Sequence, residues 1–273
     1  MDVVDPPPGD QPIPTDDGTP TLYSPDYGEY YHNLSGAFLE ARGRYVEACR
    51  VVERATREGK IRILDIGFGL GFNLALAWQA VREGAPTAAL EIVTLEKAPI
   101  SPQMWRSLSG QIPEPEIVEG VAELLETGVY CRGSVSLKFL VGGAEDTIEW
   151  GEEGFEAVFL DPFAPDRNAE LWTPEFLRAV RMRTIPGAIL STYSSASRVR
   201  IALLRAGWTI GMGARVGRKS NGTIAANGEV DPPLPSLHPR VLRRLGKRAS
   251  EAEVAENQRT DRGPIEGDRS SAH

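Results

Sequence analysis

The sequence contains little cysteine, little histidine and no long apolar run. Its two cysteines, Cys49 and Cys131, have neither metal-ligand spacing nor the density of a secreted disulfide scaffold, so we predict a reducing, cytoplasmic location. The three histidines, His32, His238 and His273, lie far apart and indicate no metal site. No apolar run approaches ~18 residues and no basic, apolar leader opens the chain, so we predict neither a membrane span nor a signal peptide.

Two kinds of catalytic motif are also missing. The chain has no Gly-x-Ser-x-Gly sequence, which is typical of serine hydrolases, and no Gly-Lys-Ser/Thr phosphate loop. These absences disfavour hydrolases and nucleoside triphosphatases. At 273 residues the chain is long enough for one large α/β domain with appendages.

Acidic residues are concentrated at the two ends of the chain. The formal net charge is −8, yet residues 1–29 carry seven acids without any Lys or Arg, and residues 249–273 carry six acids and three arginines. A formal net charge of about +2 therefore remains on residues 30–248. Its basic clusters are Arg215, Arg218, Lys219, Arg240, Arg243, Arg244, Lys247 and Arg248. They indicate either a surface that follows nucleic-acid phosphates or ordinary solvated cations.

The two ends are also poor in residues that could form a core. Residues 1–21 are rich in Pro, Asp and Gly, and residues 249–273 are polar without periodicity, so we predict disordered tails over both ranges. One folded domain is expected over residues 22–248, and it should begin with a helical extension.

Between the tails, strand and helix patterns alternate, which predicts a mostly parallel seven-stranded sheet with helices on both faces. The predicted strands are Ile61–Ile66, Leu90–Glu96, Val135–Val141, Ala157–Asp161, Ala188–Tyr193, Trp208–Met212 and Thr223–Ala226, the last two forming an antiparallel edge. The predicted helices are Ala37–Arg57, Asn73–Arg82, Pro102–Ser109, Val118–Thr127, Thr173–Arg181 and Ala196–Arg205. Thr173 is expected to cap its helix, with Pro174 in the first position.

A glycine-rich loop follows the first predicted strand. Its three glycines stand at every second position, whereas a dinucleotide site requires Gly-x-Gly-x-x-Gly. S-adenosylmethionine carries a sulfonium and an ammonium instead of a pyrophosphate, which suits an acidic residue beside such a loop. We therefore predict an S-adenosylmethionine site, the alternative being a turn that binds nothing. Its predicted contacts are Asp65, Gly67, Phe68, Gly69, Gly71 and Asn73.

Acidic residues also end the second and third major strands, at the edge where parallel sheets bind ligands. Glu96 lies 25 residues after Gly71, where its carboxylate can accept both ribose hydroxyls, and Lys97 follows it. Glu145 and Asp146 follow two glycines and could bind the adenine amino group. The alternatives are a surface glutamate and an ordinary polar loop.

Asp161 ends the fourth strand, where a methyl-transfer site would lie. Its carboxylate can orient an incoming amine or accept its proton, and it is our candidate catalytic residue. Pro162 adjoins the same cofactor pocket, and Phe163 could stack on a base. The alternative is that Asp161 only caps the following helix.

From about Tyr23 to Ala226 the chain resembles the methyltransferase domain of the bacterial tRNA 5-methylaminomethyl-2-thiouridine synthesis enzymes. The resemblance rests on four blocks: Glu29-Tyr30-Tyr31-His32 with Leu39-Glu40-Ala41-Arg42, the loop from Gly67 to Asn73, Glu96-Lys97, and Asp161-x-Phe163-Ala164-Pro165 running on to Asn168 and Leu171-Trp172-Thr173. Gly217-Arg218-Lys219 is similar to a further motif before the last strand. Pro162 and Ser220-Asn221-Gly222 depart from the family pattern.

The resemblance implies a Rossmann-like S-adenosylmethionine-dependent methyltransferase that acts on the aminomethyl group of a tRNA wobble uridine. It implies tRNA as partner and Tyr30, Glu40, Phe163, Arg218 and Lys219 as substrate-binding residues. It implies that the flavin oxidase domain, often fused to this domain, or upstream wobble-uridine modification enzymes are separate proteins.

Other functions remain compatible with the sequence. They are a methyltransferase for a small-molecule or protein amine, a catalytically inactive RNA-binding protein or scaffold, and a polyamine synthase.

Overall fold

The computed structural model describes residues 11–32, 34, 36–150, 153–216 and 221–260. Its strands are β1 (Ile13–Pro14), β2 (Pro20–Thr21), β3 (Tyr23–Ser24), β4 (Glu29–Tyr30), β5 (Lys60–Ile66), β6 (Ala89–Glu96), β7 (Val129–Arg132), β8 (Val135–Val141), β9 (Phe155–Leu160), β10 (Thr184–Thr192), β11 (Thr209–Met212) and β12 (Thr223–Ala226).

The helices alternate with the major strands. They are α1 (Ala37–Glu40), α2 (Val51–Glu58), α3 (Phe72–Gly84), α4 (Pro102–Leu108), α5 (Pro115–Thr127), α6 (Ala144–Thr147), α7 (Pro174–Met182), α8 (Ser197–Arg205) and α9 (Pro239–Thr260). A π-helix covers Ala41–Glu47, and short 3-10 helices cover Ile148–Trp150 and Ala169–Trp172. Thr173 caps α7 as predicted, since its hydroxyl accepts the Phe176 N–H at 3.2 Å.

The central sheet has the order β11-β12-β10-β9-β5-β6-β8-β7 in the described part of the chain. The five inner strands, from β10 to β8, are parallel, and β12 and β11 form the predicted antiparallel edge. The prediction of seven strands was wrong by one, because β7 pairs antiparallel with β8 at the other edge. Of its four residues only Tyr130 is buried, so the strand has little apolar pattern.

The predicted long helix Ala37–Arg57 is interrupted. The π-helix widens its middle, and Arg50 adopts a left-handed conformation with φ of 56° before α2 begins. Arg44, on the π-helix, is fully buried, and its carbonyl accepts a hydrogen bond from the Ser191 hydroxyl at 2.5 Å. This contact links the helix to a strand 147 residues away, which local sequence patterns do not reveal.

Residues 11–21 were predicted to be disordered but form a hydrogen-bonded segment. β1 pairs with β2, and Thr15, Thr19 and Thr21 are buried. The Thr19 hydroxyl accepts the Ala37 N–H at 2.9 Å, at the start of α1. Hydrogen bonds of threonine hydroxyls therefore hold this segment in place. The prediction of disorder was based on its lack of apolar residues. Residues 1–10 lie outside the described range.

The C-terminal tail prediction was wrong over residues 249–260. α9 continues through this segment to Thr260, with Leu245 and Ala249 buried and Val241 half-buried at a spacing of four residues. This apolar stripe packs α9 against the cluster that includes Leu203 of α8. Residues 261–273 lie outside the described range.

Two apolar layers cover the faces of the sheet. One contains Trp78, Trp105 and Tyr45, and the other contains Trp208, Phe176 and neighbouring side chains. Both faces of the inner strands are therefore shielded, and the polar carboxyl ends of the strands become the natural place for a site. Among the described residues, no helix has the length and apolar character needed to span a bilayer.

We predict that Thr19→Val lowers the free energy of unfolding by about 1–3 kcal/mol, because it leaves the buried Ala37 N–H without its acceptor. Urea unfolding followed by circular dichroism measures this. The matched control is Thr56→Val, whose hydroxyl donates to the Val52 carbonyl on the exposed face of α2 and which should change stability by less than about 0.5 kcal/mol. Equal stability of the two variants would show that the hydrogen bond from the Ala37 N–H to Thr19 does not stabilise the fold.

Candidate active site

A cavity of about 550 Å³ lies at the carboxyl ends of β5, β6, β9 and β10. Its wall includes the glycine loop after β5, Glu96 after β6, Asp161 after β9 and Tyr193 after β10. The segment from Tyr27 to His32 closes the other side. The sheet topology alone brings these strand ends to one edge.

The glycine loop takes a conformation that few other residues could adopt. Gly67 has φ of 89° and Gly69 has φ of 55°. A Cβ on Gly67 would lie 2.7 Å from the Asp161 carbonyl oxygen, which is a backbone atom that cannot move aside easily. Gly71 has φ of 86° and abuts the Phe68 ring, but it does not line the cavity. Phe68 is buried and does line it.

Glu96 organises the loops beside the cavity. Its Oε2 accepts the Gly69 N–H at 3.1 Å, and its Oε1 accepts the N–H groups of Lys97 at 2.8 Å and Ala98 at 3.0 Å. Lys97 and Glu145 also line the cavity. Asp146 is exposed and lies outside the lining, although it was predicted together with Glu145.

Asp65 is fully buried behind the glycine loop and does not line the cavity. Its Oδ2 accepts a hydrogen bond from the Thr94 hydroxyl at 2.8 Å, while its Oδ1 has no partner among the described residues. Burial raises the pKa of Asp65 to about 8, although the Thr94 hydrogen bond acts in the opposite direction. The negative charges of Asp161 and Glu96 add to the increase.

Asp161 opens onto the cavity and is otherwise closely surrounded by protein. Its Oδ2 accepts a hydrogen bond from the Asn73 side chain at 2.8 Å. Burial and the charge of Glu40 raise its pKa to about 7, while Tyr45, Asn73 and Arg44 act in the opposite direction. Asn73 does not line the cavity, so it contacts Asp161 rather than the cavity itself.

Glu40 lines the cavity opposite Asp161 and is held by a buried cation. The Arg44 Nε donates to Glu40 Oε1 at 3.1 Å, and its Nη1 donates to the Ala214 carbonyl at 3.3 Å. Glu40 belongs to the predicted site, but Arg44 was missed. The π-helix, which no sequence pattern indicated, carries Arg44.

Aromatic side chains form the outer wall of the cavity. Tyr27 stacks on Phe163 with ring centroids 4.1 Å apart and 17° between planes, and Tyr31 meets the same ring edge-on at 5.1 Å. Tyr30 lines the cavity as predicted and is 36% exposed. Tyr27 and Tyr31 were not predicted as site residues, although the tyrosine-rich sequence before His32 was a signal for them.

Backbone contacts hold this wall in place. The Ala164 N–H donates to Glu29 Oε2 at 3.2 Å, and the Tyr193 hydroxyl donates to the Pro162 carbonyl at 3.0 Å. Burial, with the charges of Asp161, Glu29 and Glu40, raises the pKa of Tyr193, so the phenol stays protonated and remains a donor. Pro162 and Phe163 line the cavity, as predicted.

The cavity is strongly acidic. The carboxylate residues in its lining are Glu29, Glu40, Glu96, Glu145, Asp161 and Glu170, whereas Lys97 is its one lysine or arginine among described residues. Such a site attracts cationic groups. The predicted contacts Arg218 and Lys219 lie outside the described residues. Within the described residues, no group of three or more His, Cys, Asp or Glu side chains is arranged to hold a metal ion.

The donor set fits S-adenosylmethionine in three respects. Buried Asp65 has an unpartnered oxygen beside the loop, Gly67 and Gly69 line the cavity with backbone and no side chain, and the lining is acidic where a sulfonium and an ammonium would bind. A family model described as S-adenosyl-L-methionine-dependent methyltransferase matches residues 115–228. The protein is an S-adenosylmethionine-dependent methyltransferase.

Comparison with individual relatives shows which methyltransferases the chain is similar to. The chain is 31% identical over 212 residues to the tRNA 5-methylaminomethyl-2-thiouridine biosynthesis bifunctional protein MnmC of Thiobacillus denitrificans, covering 74% of this chain and 34% of that one. It is 29% identical over 225 residues to the MnmC protein of Cupriavidus necator, covering 79% and 34%. The chain thus spans about a third of the length of these curated relatives.

The crystal structure of MnmC2 from Aquifex aeolicus superposes with a TM-score of 0.75 at 35% identity, covering 86% of this chain and 75% of that chain. The chain belongs to the MnmC family of methyltransferases. The fold class predicted from sequence is therefore confirmed.

The raised pKa of Asp65 makes stability depend on pH. Its protonated form favours folding, and this contribution is complete below the ordinary value of 3.8 and is lost as pH rises through about 8. We predict that Asp65→Asn removes this loss. Between about pH 5 and pH 8, the unfolding free energy of wild type should fall by at least about 1.4 kcal/mol more than that of the variant.

Urea unfolding at several pH values, without cofactor, measures the difference. The other titrating groups are common to the two proteins and cancel, apart from Asp161 and Glu96, whose charges interact with Asp65. Parallel curves for wild type and variant would contradict the assignment of a raised pKa to Asp65.

Proposed function

We propose that this enzyme methylates the amine of 5-aminomethyl-(2-thio)uridine at the wobble position of tRNA, giving 5-methylaminomethyl-(2-thio)uridine. The observation that carries the proposal is the position of Asp161, between the glycine loop and the aromatic wall. One side suits the cofactor, and the other offers flat rings to a nucleobase. The names of the MnmC relatives supply the substrate.

The cofactor would be held by Gly67, Phe68 and Gly69 of the loop, by Glu96 and Lys97 after β6, and by Glu145 and Pro162. When bound, S-adenosylmethionine supplies a methyl group on a positively charged sulfur. The Glu96 carboxylate, which accepts three backbone N–H groups, is preorganised to accept ribose hydroxyls. Asp65, Gly71 and Asn73 support these contacts from behind, whereas Asp146 lies outside the cavity lining.

The substrate amine must lose a proton before its nitrogen can attack, because an alkylammonium titrates near pH 10 in water. Asp161 and Glu40 both face the cavity and attract the ammonium form. With a pKa of about 7, Asp161 is a better proton acceptor than an ordinary aspartate. Asp161 then holds the amine N–H and directs the nitrogen lone pair. Most of the acceleration comes from this alignment.

The wall residues position the base. Tyr30 and Phe163 are the substrate contacts predicted from sequence, and Tyr27 and Tyr31 extend the same surface. Arg218 and Lys219 are proposed to hold the RNA backbone. The proposal further includes a cytoplasmic location and a separate oxidase or upstream modification enzyme that generates the aminomethyl group.

One observation favours a second function. Six acidic residues line the cavity, which would also suit a methyltransferase for a small-molecule or protein amine. Mass spectrometry of tRNA nucleosides from a strain lacking the protein separates the two. Loss of the methylaminomethyl nucleoside with accumulation of its aminomethyl precursor supports the tRNA function, and an unchanged nucleoside profile contradicts it.

We predict that Asp161→Asn lowers kcat on aminomethyl-uridine tRNA by at least about 100-fold, with less than about a threefold change in cofactor affinity. The substitution keeps the shape of the side chain but removes the proton acceptor. In wild type, kcat/KM, which reports the free enzyme, should rise with pH through about 7 as Asp161 ionises, and this step should vanish in the variant. Single-turnover methyl transfer measures both.

The control is Asp146→Asn, which makes the same chemical change on an exposed acid outside the lining. It should keep kcat within about twofold. If Asp161→Asn kept wild-type kcat, Asp161 would be a structural residue and Glu40 or Tyr30 would become the candidate for amine orientation.

A further inference from the structure

Cations are concentrated in two segments near the β11 edge of the sheet. Residues 197–216 and 232–250 contain no aspartate or glutamate, although the whole chain has a net charge of −8. They carry nine basic residues, namely Arg198, Arg200, Arg205, Arg215, Arg240, Arg243, Arg244, Lys247 and Arg248. Five of the nine belong to α9.

The packing of α9 turns these five side chains outward. Val241, Leu245 and Ala249 follow one another at intervals of four residues and pack toward α8. Five exposed cations beside this stripe form what we call the basic face of α9: Arg240, Arg243, Arg244, Lys247 and Arg248. It spans roughly 12 Å along the helix, a length comparable with two or three phosphates.

The basic face is not neutralised by the protein. Lys247 lies 3.7 Å from Glu251, but the four arginines of the face have no ion pair with any residue that the structure describes. Three exposed arginines elsewhere differ, since Arg57, Arg82 and Arg132 each pair with a glutamate. Uncompensated neighbouring cations repel one another and create a positive potential that attracts a polyanion.

The basic face begins at the cavity end of the sheet. The Met212 N–H, at the end of β11, donates to the Pro235 carbonyl at 2.7 Å. Met212 pairs with Thr223, and Thr223 pairs with Thr192 at the end of β10, next to the cavity residue Tyr193. α9 starts four residues after Pro235, so its first residue lies within about 14 Å of Pro235 at this edge.

The cavity itself cannot hold an RNA backbone, because its lining is acidic and repels phosphates. A nucleotide that enters it must have its flanking phosphates bound elsewhere. We propose that the basic face of α9 binds the phosphate backbone of the RNA whose nucleotide enters the cavity. This inference rests on the proposed function and adds to it a surface that lies outside the cavity.

The test compares two triple variants of the full chain with the same change in charge. Arg240→Gln, Arg243→Gln and Arg244→Gln remove three cations of the basic face. The control removes three exposed, ion-paired cations through Arg57→Gln, Arg82→Gln and Arg132→Gln. Filter binding of bulk tRNA over a range of salt concentrations gives Kd and its salt dependence, and titration with S-adenosylmethionine checks that both variants are folded.

We predict that the α9 variant raises Kd for tRNA by about tenfold at moderate salt and lowers the slope of log Kd against log salt by about 2. The control should stay within about twofold of wild type, and both variants should bind cofactor normally. A salt slope equal to that of wild type in the α9 variant would overturn the inference.

Two further measurements separate the possible sources of failure. If the α9 variant loses binding to phosphatidylserine vesicles but keeps its affinity for tRNA, the face binds an anionic membrane and the inference is wrong. If wild type binds tRNA through α9 but yields no methylated nucleoside, the proposed function fails while the RNA-binding surface stands.

Discussion

The site depends on a close backbone contact between the ends of neighbouring parallel strands. The Asp161 N–H donates to the Ile66 carbonyl at 2.9 Å, and the Gly67 N–H donates to the Leu95 carbonyl at 3.0 Å. These bonds continue the sheet beyond its regular strands and press Gly67 against the Asp161 carbonyl, with no room for a side chain. Asn73, in the first turn of α3, then binds the Asp161 side chain. The loop, the acid and the helix form one rigid unit.

This geometry places carboxylates where water solvates them poorly. Burial raises the pKa of Asp65 to about 8 and that of Asp161 to about 7, each assisted by neighbouring acids. A cation bound nearby favours the ionised form of both groups and offsets the cost of burying them. Binding of a cationic ligand and ionisation of Asp161 are therefore linked. The bound cation thus keeps Asp161 in its ionised form, which is the form that can accept a proton.

Sequence patterns predicted the parts of this arrangement that depend on strand order. Gly67, Glu96 and Asp161 each follow a buried strand, and parallel strand ends meet at one edge whatever the loops do. The missed parts depend on contacts between distant segments. Arg44 lies on a π-helix joined to Ser191, and the ordering of Thr19 depends on hydrogen bonds to α1.

The same distinction explains the missed strand at the sheet edge and the errors at the ends of the chain. β7 shows only one buried residue, and the apolar stripe of α9 is sparse within a charged sequence. Such segments acquire order from a partner element rather than from their own composition. Composition therefore indicated tails where the structure has a paired segment and a docked helix.

Net charge is a poor guide to the partner of this protein, because charges of opposite sign are separated in space. Acids line the cavity, Glu40 and Asp161 among them, while five cations lie outside it on α9. An RNA substrate carries both features, a positively charged aminomethyl group on one base and negative charge along its backbone. The separation of charge on the enzyme matches the separation of charge on that substrate. A small amine offers only half of this match, since it has nothing for the basic face of α9 to bind.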